Sequence, residues 1–295
     1  MTGRRRLVRV PASSANLGPG YDVLAAALSL HLELEVFETG EFSVDASGSP
    51  VPADRSNLCV RAFESLHPAD GLRFEIRTEI PPARGLGSSA AAIVAGLMAA
   101  DHLFELALDH DEIYARAVEL EGHPDNVGAA LYGGFVLCAE AVDEQPRPRP
   151  VLLEPPQGVE GVLVIPDEEV PTEQARAAMP ADVPVADAVA NVSAASQLVL
   201  GLERSDLTLI ARGLADRIHQ PSRAHLYPRS MELLVQAQQM GAIGATVSGA
   251  GPALLFWCYW HDTGKVTDAL RGRVEGWAEV RRAPFSPLGA DVPEL

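Results

Sequence analysis

Residues 81–100, PPARGLGSSAAAIVAGLMAA, place two glycines and two serines directly before a long apolar run. A helix that begins at Ser88 has free amides in its first turn and the positive end of its dipole there. Gly85 and Gly87 let the backbone approach a ligand without a Cβ in the way. Such a turn can hold a phosphate. On these residues alone an ordinary helix cap is equally well supported, because the stretch has neither GxxxxGK[ST] nor GxGxxG spacing.

Two more loops combine glycine with small or short polar side chains. Residues 10–28, VPASSANLGPGYDVLAAAL, carry Asn16 and Asp22 just before another apolar run. The plain alternative for this segment is a strand–turn–helix connection in which both residues cap or form turns. Residues 245–257, ATVSGAGPALLFW, read as a small-residue hinge between two apolar strands. Taken alone, this hinge is more typical of a tight turn than of a binding site.

Together the three loops resemble the three motifs of the GHMP kinase superfamily. The matching text is PxSSANLGPGxD at 11–22, PxxxGLGSSAA at 81–91 and SGAGPA at 248–253. Their order and spacing agree, and the resemblance covers nearly the whole chain. It implies a two-domain α+β fold with the nucleotide between the halves, and ATP as the phosphate donor.

Within that superfamily the sequence resembles the homoserine kinases. The first loop has no lysine or arginine between Pro11 and Asp22, unlike the sugar and mevalonate kinases. Three further segments support this: ELEGHPDNVGAALYGGF at 119–135, PTEQARAAMP at 171–180 and HQPSRAHLYP at 219–228. The resemblance implies ATP-dependent phosphorylation of the L-homoserine side-chain hydroxyl to O-phospho-L-homoserine, a step toward threonine. The alternatives are a kinase for another small alcohol, such as mevalonate, and a catalytically silent binding module.

The resemblance also assigns residues to the nucleotide and to Mg²⁺. The residues expected at the nucleotide are Asn57, Pro82, Arg84, Gly85, Leu86, Gly87, Ser88 and Ser89. Asn57 has a plainer interpretation as part of a helix cap beside Ser56. Ser88 and Glu121 are the expected metal ligands, since Mg²⁺ prefers oxygen donors. Glu119 is the rival of Glu121, because the alignment slips by two residues there.

For the amino-acid substrate the resemblance points to six residues. They are Asn16, Asp22, His123, Asn126, Arg176 and Arg223. Arginine suits a carboxylate because its donors are parallel and fixed, whereas Asp22 and Asn16 suit an ammonium group. Without the resemblance the arginines read as exposed solvated side chains and the His-Pro-Asp-Asn text as a turn.

Asn126 and Arg176 are the residues predicted to take part in catalysis. Asn126 stands where mevalonate kinases carry an aspartate base, and an amide cannot usefully accept a proton. The resemblance therefore implies transfer of the hydroxyl proton to the γ-phosphate rather than to an enzymic base. Phosphoryl transfer then depends mainly on positioning and on charge neutralisation.

Strand and helix patterns occur in runs, which favours an α+β fold over a doubly wound sheet. The predicted strands are Leu30–Phe37, Leu72–Ile80, Phe135–Cys138, Val159–Ile165, Ala245–Val247, Ala253–Tyr259 and Trp277–Ala283. The predicted helices are Asn57–Leu66, Ser88–Leu106, Asp111–Glu121, Thr172–Met179, Val185–Leu202, Ser205–Ile218 and Ser230–Met240. Proline-rich residues 142–157 read as a linker between an N-terminal ATP-binding domain, 1–145, and a C-terminal domain, 155–295.

Composition limits the partners. Acidic residues number 40 against 23 basic ones, a formal charge of −17, which argues against nucleic acid and anionic membranes. No uninterrupted run approaches the 18 or so apolar residues of a membrane span. Cys59, Cys138 and Cys258 are far apart, so we expect reduced core cysteines and a cytoplasmic protein. A homodimer is expected only because homodimers are common among the relatives.

Overall fold

The computed structural model describes residues 3–139 and 149–293. Its first sheet has strand order β3-β4-β2-β5-β6, with β1 paired to β2, and its second has order β10-β7-β9-β8. The strands of the first sheet are β1 (Arg5–Ala15), β2 (Leu24–Glu38), β3 (Ser43–Asp45), β4 (Leu72–Thr78), β5 (Phe135–Leu137) and β6 (Val151–Leu153). Those of the second are β7 (Val159–Pro166), β8 (Gly244–Val247), β9 (Leu254–Tyr259) and β10 (Ala278–Arg282).

The helices fall into two groups along the chain, one before residue 140 and one after residue 166. The first group is α1 (Leu58–Glu64), α2 (Ser88–Phe104), α3 (His110–Glu121) and α4 (Asp125–Tyr132). The second is α5 (Thr172–Ala177), α6 (Val185–Arg204), α7 (Leu207–Gly213), α8 (His219–Arg223), α9 (Pro228–Val235) and α10 (Thr263–Val274). This mixture of antiparallel sheets and separate helices confirms the predicted α+β class.

Helix α2 is the central helix of the first half, and its residues 90–101 are buried. It packs on α1 and on β1 and β2. Small side chains allow this close approach: a Cβ at Gly96 would lie 2.2 Å from the carbonyl oxygen of Cys59 in α1. Because α2 is held on most of its surface, its first turn is fixed in position, as the sequence predicts.

Residues 10–28 form a strand–turn–strand unit, so the strand–turn–helix alternative is wrong. β1 pairs antiparallel with β2, and Ala12 to Ala15 oppose Ala25 to Leu28. Residues 24–28 are buried on both faces, so the alternation seen from Leu30 onward is absent there. The turn holds Asn16 and Asp22 at positive φ angles of 71° and 56°.

Several predicted helix ends are corrected by the structure. Asn57, not Ser56, caps α1 through its side chain, which accepts from the Cys59 amide at 2.9 Å. The predicted helix Ser205–Ile218 is shorter in the structure: α7, capped by Asp206, ends at Gly213, and α8 begins only at His219. Gly213 lies against α6, where a Cβ would be 2.5 Å from the Leu198 nitrogen. None of the helices α5 to α10 has serine or threonine as its N-terminal cap residue. The cap residues there are Pro171, Pro184, Asp206 and Tyr227.

The proline-rich linker 142–157 is partly a strand. Val151–Leu153 pairs antiparallel with β5 and so extends the first sheet. Residues 142–148 of the predicted linker lie outside the described part of the chain. The limits 1–145 and 155–295 stay predictions.

The end of the chain returns to the first sheet. The Ser286 amide donates to the Ala27 carbonyl, and Arg9 and Asp291 form an isolated antiparallel bridge. Phe285 lies between the sheets, with its ring centroid 4.8 Å from that of Phe135 and 5.2 Å from that of Trp257. A single hydrophobic core therefore contains residues of both halves.

Helix α6 is, within residues 3–139 and 149–293, the one helix long and apolar enough to cross a membrane. Its sequence is not an uninterrupted apolar run, because Asp187 and Asn191 lie within it. One such helix is weak evidence of a span, and its Ala194, Leu198 and Leu202 are buried against the rest of the molecule.

The three cysteines are buried and no disulfide joins them, as predicted. Burial raises the pKa of the Cys59 thiol to about 12 and that of Cys258 to about 12. Neither is a reactive thiolate near neutral pH.

Candidate active site

The three glycine loops meet at one place. The Ser13 amide donates to the Leu86 carbonyl at 3.2 Å, and the Ser248 hydroxyl donates to the Gly85 carbonyl at 2.7 Å. The Gly249 amide donates to the Ala15 carbonyl at 3.1 Å. Each loop is thereby bonded to another, although they lie far apart in the sequence.

Gly85 and Gly87 are required by space as well as by backbone angle. Their φ angles are +77° and +68°, in the region that favours glycine. A Cβ at Gly85 would lie 2.1 Å from the Ser248 carbonyl oxygen, and one at Gly87 would lie 2.0 Å from the Ser13 hydroxyl. The loop conformation and the contact between loops therefore depend on the same two residues.

The first turn of α2 is open. Its cap residue is Gly87, which has no side chain to accept from the first amides. In the part of the chain that the structure describes, the amides of residues 85–89 donate to no other group. Free amides at the positive end of a buried helix form an anion site.

Two cavities adjoin at this turn, and both are lined by Ser88 and Ser89. The first is mostly apolar and is lined by residues that include Leu32, Val51, Asn57, Ile76, Ile80 and Pro82. The second is polar and is lined by residues that include Asn16, Asp22, Glu121, His123, Asn126, Arg176 and Arg223. All six residues predicted for the amino-acid substrate therefore line the second cavity.

Of the residues predicted at the nucleotide, only Arg84 lines neither cavity. Its guanidinium donates to the carbonyls of Pro166 and Asp167, at 2.7 and 2.6 Å, and pairs with Glu169. The Arg84 side chain therefore joins the loop to the end of β7. Asn57 fits both interpretations given above, the helix cap and the nucleotide site, because it caps α1 and lines the apolar cavity.

Glu121 lies in the polar cavity, whereas Glu119 is exposed on the outer face of α3. The Glu121 carboxylate accepts from the Ser89 hydroxyl at 2.5 Å. Burial raises the pKa of Glu121, and the hydrogen bond from Ser89 acts against this shift. The carboxylate is thus a desolvated charge at the first turn of α2.

His123 stands between two carboxylates. Its Nδ1 lies 3.3 Å from Asp125 Oδ1, and its Nε2 lies 3.7 Å from Glu121 Oε1. Burial alone would lower the pKa of His123, but the two carboxylates outweigh it and the net direction is upward. The ring therefore favours its protonated form more than an ordinary histidine does.

Asn126 is held by the first loop. Its Oδ1 accepts from the Ser13 hydroxyl at 2.8 Å, and its backbone N–H donates to Asp125 Oδ1 at 2.7 Å. The side chain is nine-tenths buried and reaches the cavity wall beside Gly87. An amide in this position can orient a ligand, but it cannot take a proton.

Asp22 and Arg176 form a two-point ion pair across the polar cavity. Arg176 Nη1 and Nη2 each lie 3.0 Å from one carboxylate oxygen of Asp22. Arg176 Nη1 also donates to the Tyr21 hydroxyl at 3.1 Å. Tyr21 was not predicted from the sequence; its position directly before Asp22 in the loop was the available signal.

Arg223 is a buried charge at the back of the same cavity, with 2% of its surface exposed. It donates to the carbonyls of Ala175 and Gly249, at 2.9 and 3.2 Å. Its guanidinium carbon lies 5.1 Å from the centroid of the Tyr21 ring. A buried guanidinium is retained where it has a bound partner or a full set of acceptors.

No group of three or more histidine, cysteine or acidic side chains able to hold a metal occurs within residues 3–139 and 149–293. The available donors are the Glu121 carboxylate and the Ser88 hydroxyl. Mg²⁺ keeps several waters and uses one or two protein ligands together with substrate phosphates, so this donor set fits Mg²⁺.

Family models match both halves of the chain. GHMP kinases N terminal domain matches residues 57–134, and GHMP kinases C terminal matches residues 198–274. A homoserine kinase of Synechococcus sp. (strain CC9605) is 39% identical over 97% of this chain and 93% of its own length. A homoserine kinase of Prochlorococcus marinus (strain MIT 9515) is 36% identical over 96% of this chain and 93% of its own.

Solved structures agree in fold over nearly the whole length. A homoserine kinase from Cytophaga hutchinsonii matches with a TM-score of 0.87 at 28% identity, covering 98% of each chain. A putative homoserine kinase from Listeria monocytogenes matches with a TM-score of 0.83 at 32% identity, covering 98% of this chain and 100% of its own. A mevalonate kinase of L. major, at 18% identity and a TM-score of 0.69, shares the fold alone.

Proposed function

Because the chain belongs to the homoserine kinase family of the GHMP kinases, we propose that its two adjoining cavities hold the two substrates of one phosphoryl transfer. The enzyme phosphorylates the side-chain hydroxyl of L-homoserine with ATP, forming O-phospho-L-homoserine in threonine biosynthesis. The observation that supports this placement of the two substrates is the open first turn of α2, which lies between an apolar cavity and a charged one.

ATP fits the apolar side of this turn. The cavity beside Asn57 and Pro82 suits an adenine ring, which is flat and apolar on its faces. The phosphates then lie against the free amides of residues 85–89, where the helix dipole favours negative charge. The γ-phosphate points toward the polar cavity, because Ser88 and Ser89 line both spaces.

Glu121 and Ser88 are the residues proposed to hold Mg²⁺. When bound, a divalent cation neutralises charge on the β- and γ-phosphates. Glu121 is kept at the first turn of α2 by its hydrogen bond from Ser89. This places one buried carboxylate where a cation bound to the phosphates would need an oxygen ligand.

The zwitterion of L-homoserine matches the charges of the polar cavity. Asp22 and Asn16 offer oxygens to the ammonium group, and Arg176 and Arg223 offer paired donors to the carboxylate. Since Asp22 and Arg176 pair with each other across the cavity, the substrate must replace that ion pair. A zwitterion supplies both replacement charges at once, whereas a singly charged alcohol leaves one partner unmatched.

The proton of the attacking hydroxyl needs no enzymic base in this arrangement. Asn126 stands beside the glycine loop and accepts from Ser13, so it can orient the hydroxyl without taking its proton. Asp125 is already engaged with the Asn126 amide and faces His123. The proton passes to the γ-phosphate, and the residues contribute orientation.

Arg176→Ala tests the assignment of the carboxylate group. We expect the KM for L-homoserine to rise by ~10²-fold while the KM for ATP changes by less than about threefold, because binding to one substrate alone is lost. Arg271→Ala is the matched control, since Arg271 is an exposed arginine that pairs with Asp268 on α10. An equal rise in both KM values for Arg176→Ala contradicts the assignment.

A substrate panel tests the site as a whole. ADP release is compared for L-homoserine, its deaminated and decarboxylated analogues, mevalonate and a sugar. Turnover of L-homoserine alone supports the zwitterion interpretation, whereas equal turnover of a singly charged alcohol contradicts it. A cytoplasmic location, a homodimer, and the absence of nucleic-acid and membrane partners stay predictions.

A further inference from the structure

A buried polar network lies directly behind the wall of the substrate cavity, and two of its three members have been given no role so far. Its members are Asp216, His219 and Arg223, around the short helix α8. The His219 side chain and the Asp216 side chain have no exposed surface, and Arg223 is 2% exposed. Only Arg223 reaches the cavity.

Both nitrogens of the His219 ring have polar neighbours, and Nε2 also lies 3.7 Å from Asp216 Oδ2. Its Nε2 lies 2.7 Å from the Gly18 carbonyl oxygen, and its Nδ1 lies 3.5 Å from Arg223 Nη1. A carbonyl oxygen can only accept, so Nε2 carries the hydrogen. Nδ1 then presents its lone pair to the guanidinium. Burial and the positive charge of Arg223 lower the pKa of His219 against the effect of Asp216, so the ring is neutral at pH 7.

Asp216 fixes the helix that carries this ring. Its Oδ1 accepts from Asn191 Nδ2 and from the Ile218 amide, at 2.7 and 3.0 Å. Its Oδ2 accepts from the Gln220 amide at 2.7 Å. With three donors satisfied, the Asp216 carboxylate holds the start of α8 against α6.

The Gly18 turn, at the other end of the ring, carries residues of the ammonium side of the cavity. Asn16, Leu17 and Gly18 all have positive φ angles, of 71°, 47° and 85°. For asparagine and leucine such angles are costly and need support from the surroundings. The hydrogen bond from His219 to the Gly18 carbonyl supplies that support within the turn.

We propose that His219 is a positioning residue that joins the two halves of the amino-acid pocket, holding the Arg223 guanidinium at a fixed distance from the turn of Asn16 and Asp22. The inference rests on the proposed function, because it assigns Arg223 to the substrate carboxylate and this turn to its ammonium group. The ring itself does not touch the substrate. It sets the spacing that a 2-amino acid has to match.

The test compares two replacements at position 219. In His219→Phe the ring shape is kept but both polar contacts are lost, and we expect the KM for L-homoserine to rise ~10-fold or more, with kcat and the KM for ATP within about threefold of wild type. In His219→Gln the amide nitrogen can still donate to the Gly18 carbonyl and the amide oxygen can accept from Arg223, so we expect a KM within about threefold of wild type. A merely structural role lowers the amount of active enzyme but leaves KM unchanged.

A double-mutant cycle decides whether His219 acts through Arg223. In an Arg223→Met background, His219→Phe should raise the KM by less than about twofold further, because the partner is already absent. Thr267→Val is the control: it removes a buried hydrogen bond of 2.7 Å in α10, remote from the pocket. It should lower the urea midpoint and leave both KM values unchanged.

Several outcomes overturn the proposal. They are an unchanged homoserine KM in folded His219→Phe, an equal rise in the KM for ATP, and full additivity in the cycle. Should His219→Phe fail to fold, His219→Asn carries the test, since asparagine is too short to reach the Gly18 carbonyl and should also raise the KM. Wild-type protein that does not phosphorylate L-homoserine would instead refute the proposed function, so the two failures are distinguishable.

Discussion

Glu121, the proposed metal ligand, shows how a buried carboxylate can lower stability. Its carboxylate is buried, and burial raises its pKa. Below the ordinary glutamate pKa the group is protonated in both the folded and the unfolded states. As the pH rises through the raised folded-state pKa, only the folded protein has to desolvate the charge, so the free energy of unfolding falls.

Glu121→Gln should therefore separate stability from activity. At pH 7 we expect a higher melting temperature than wild type, and at pH 4 a difference near zero. We also expect kcat to fall by ~10²-fold or more, because the charge proposed for Mg²⁺ is lost. Thermal unfolding from pH 4 to pH 8 without nucleotide checks the first part. A wild type that is more stable than the variant at pH 7 contradicts the argument.

Single residues also show where sequence reasoning reaches its limit. In α3, positions 113, 114, 117 and 118 are buried in helical order, and position 121 continues this face to the polar cavity. This order favours Glu121 over Glu119 as the proposed metal ligand. The sequence contained this information. The contact from His219 to Gly18 spans 201 residues and depends on a ring nitrogen, so no local pattern predicts it.

At the scale of elements, the turn before α2 depends on its contact with the C-terminal loop. Gly85→Ala places a methyl group 2.1 Å from a backbone oxygen at a φ of +77°. We expect the free energy of unfolding to fall by at least about 2 kcal/mol, from the backbone clash and the left-handed angle together. Urea denaturation without ligand measures this.

The matched control is Gly272→Ala. Gly272 lies in α10, where an added Cβ would have no atom within 4 Å and the φ angle is not positive, so alanine should stabilise the helix by about 0.5–1 kcal/mol. Opposite signs for the two substitutions support the argument. Equal effects would mean that position 85 tolerates a side chain.

Strands were predictable from the sequence where one face is exposed to solvent. β4 and the outer half of β2 alternate apolar and polar residues, and both were predicted. The inner half of β2, residues 24–28, is buried on both faces and carries no alternation, so its strand form was missed. The end of α7 was also missed, since the predicted helix runs on to Ile218 whereas α7 ends at Gly213.

At the scale of the whole molecule, the aromatic contact of Phe285 with Phe135 and Trp257 joins the two sheets. Phe285→Ala should lower the free energy of unfolding by about 3–5 kcal/mol, because it leaves a cavity in the shared core. Tryptophan fluorescence and far-UV circular dichroism should still give coincident transitions, since the halves unfold together.

Leu288→Ala is the control in the same segment, because the Leu288 side chain is 74% exposed. We expect a change within about 0.5 kcal/mol. Two separate transitions in wild-type protein would show instead that the halves are independent domains.

The shared core also limits how substrates enter and leave. Two lobes joined by a flexible hinge could swing apart, but here a common apolar interior and the returning C-terminal segment join both walls of the cleft. Exchange of ligands then depends on short-range events, such as parting of the Asp22–Arg176 pair and rotation of a few side chains. Rotamer changes of this kind occur in picoseconds to nanoseconds, much faster than microsecond-to-millisecond domain motions. We therefore expect product release from this enzyme to be governed by contacts within the pocket rather than by movement of lobes.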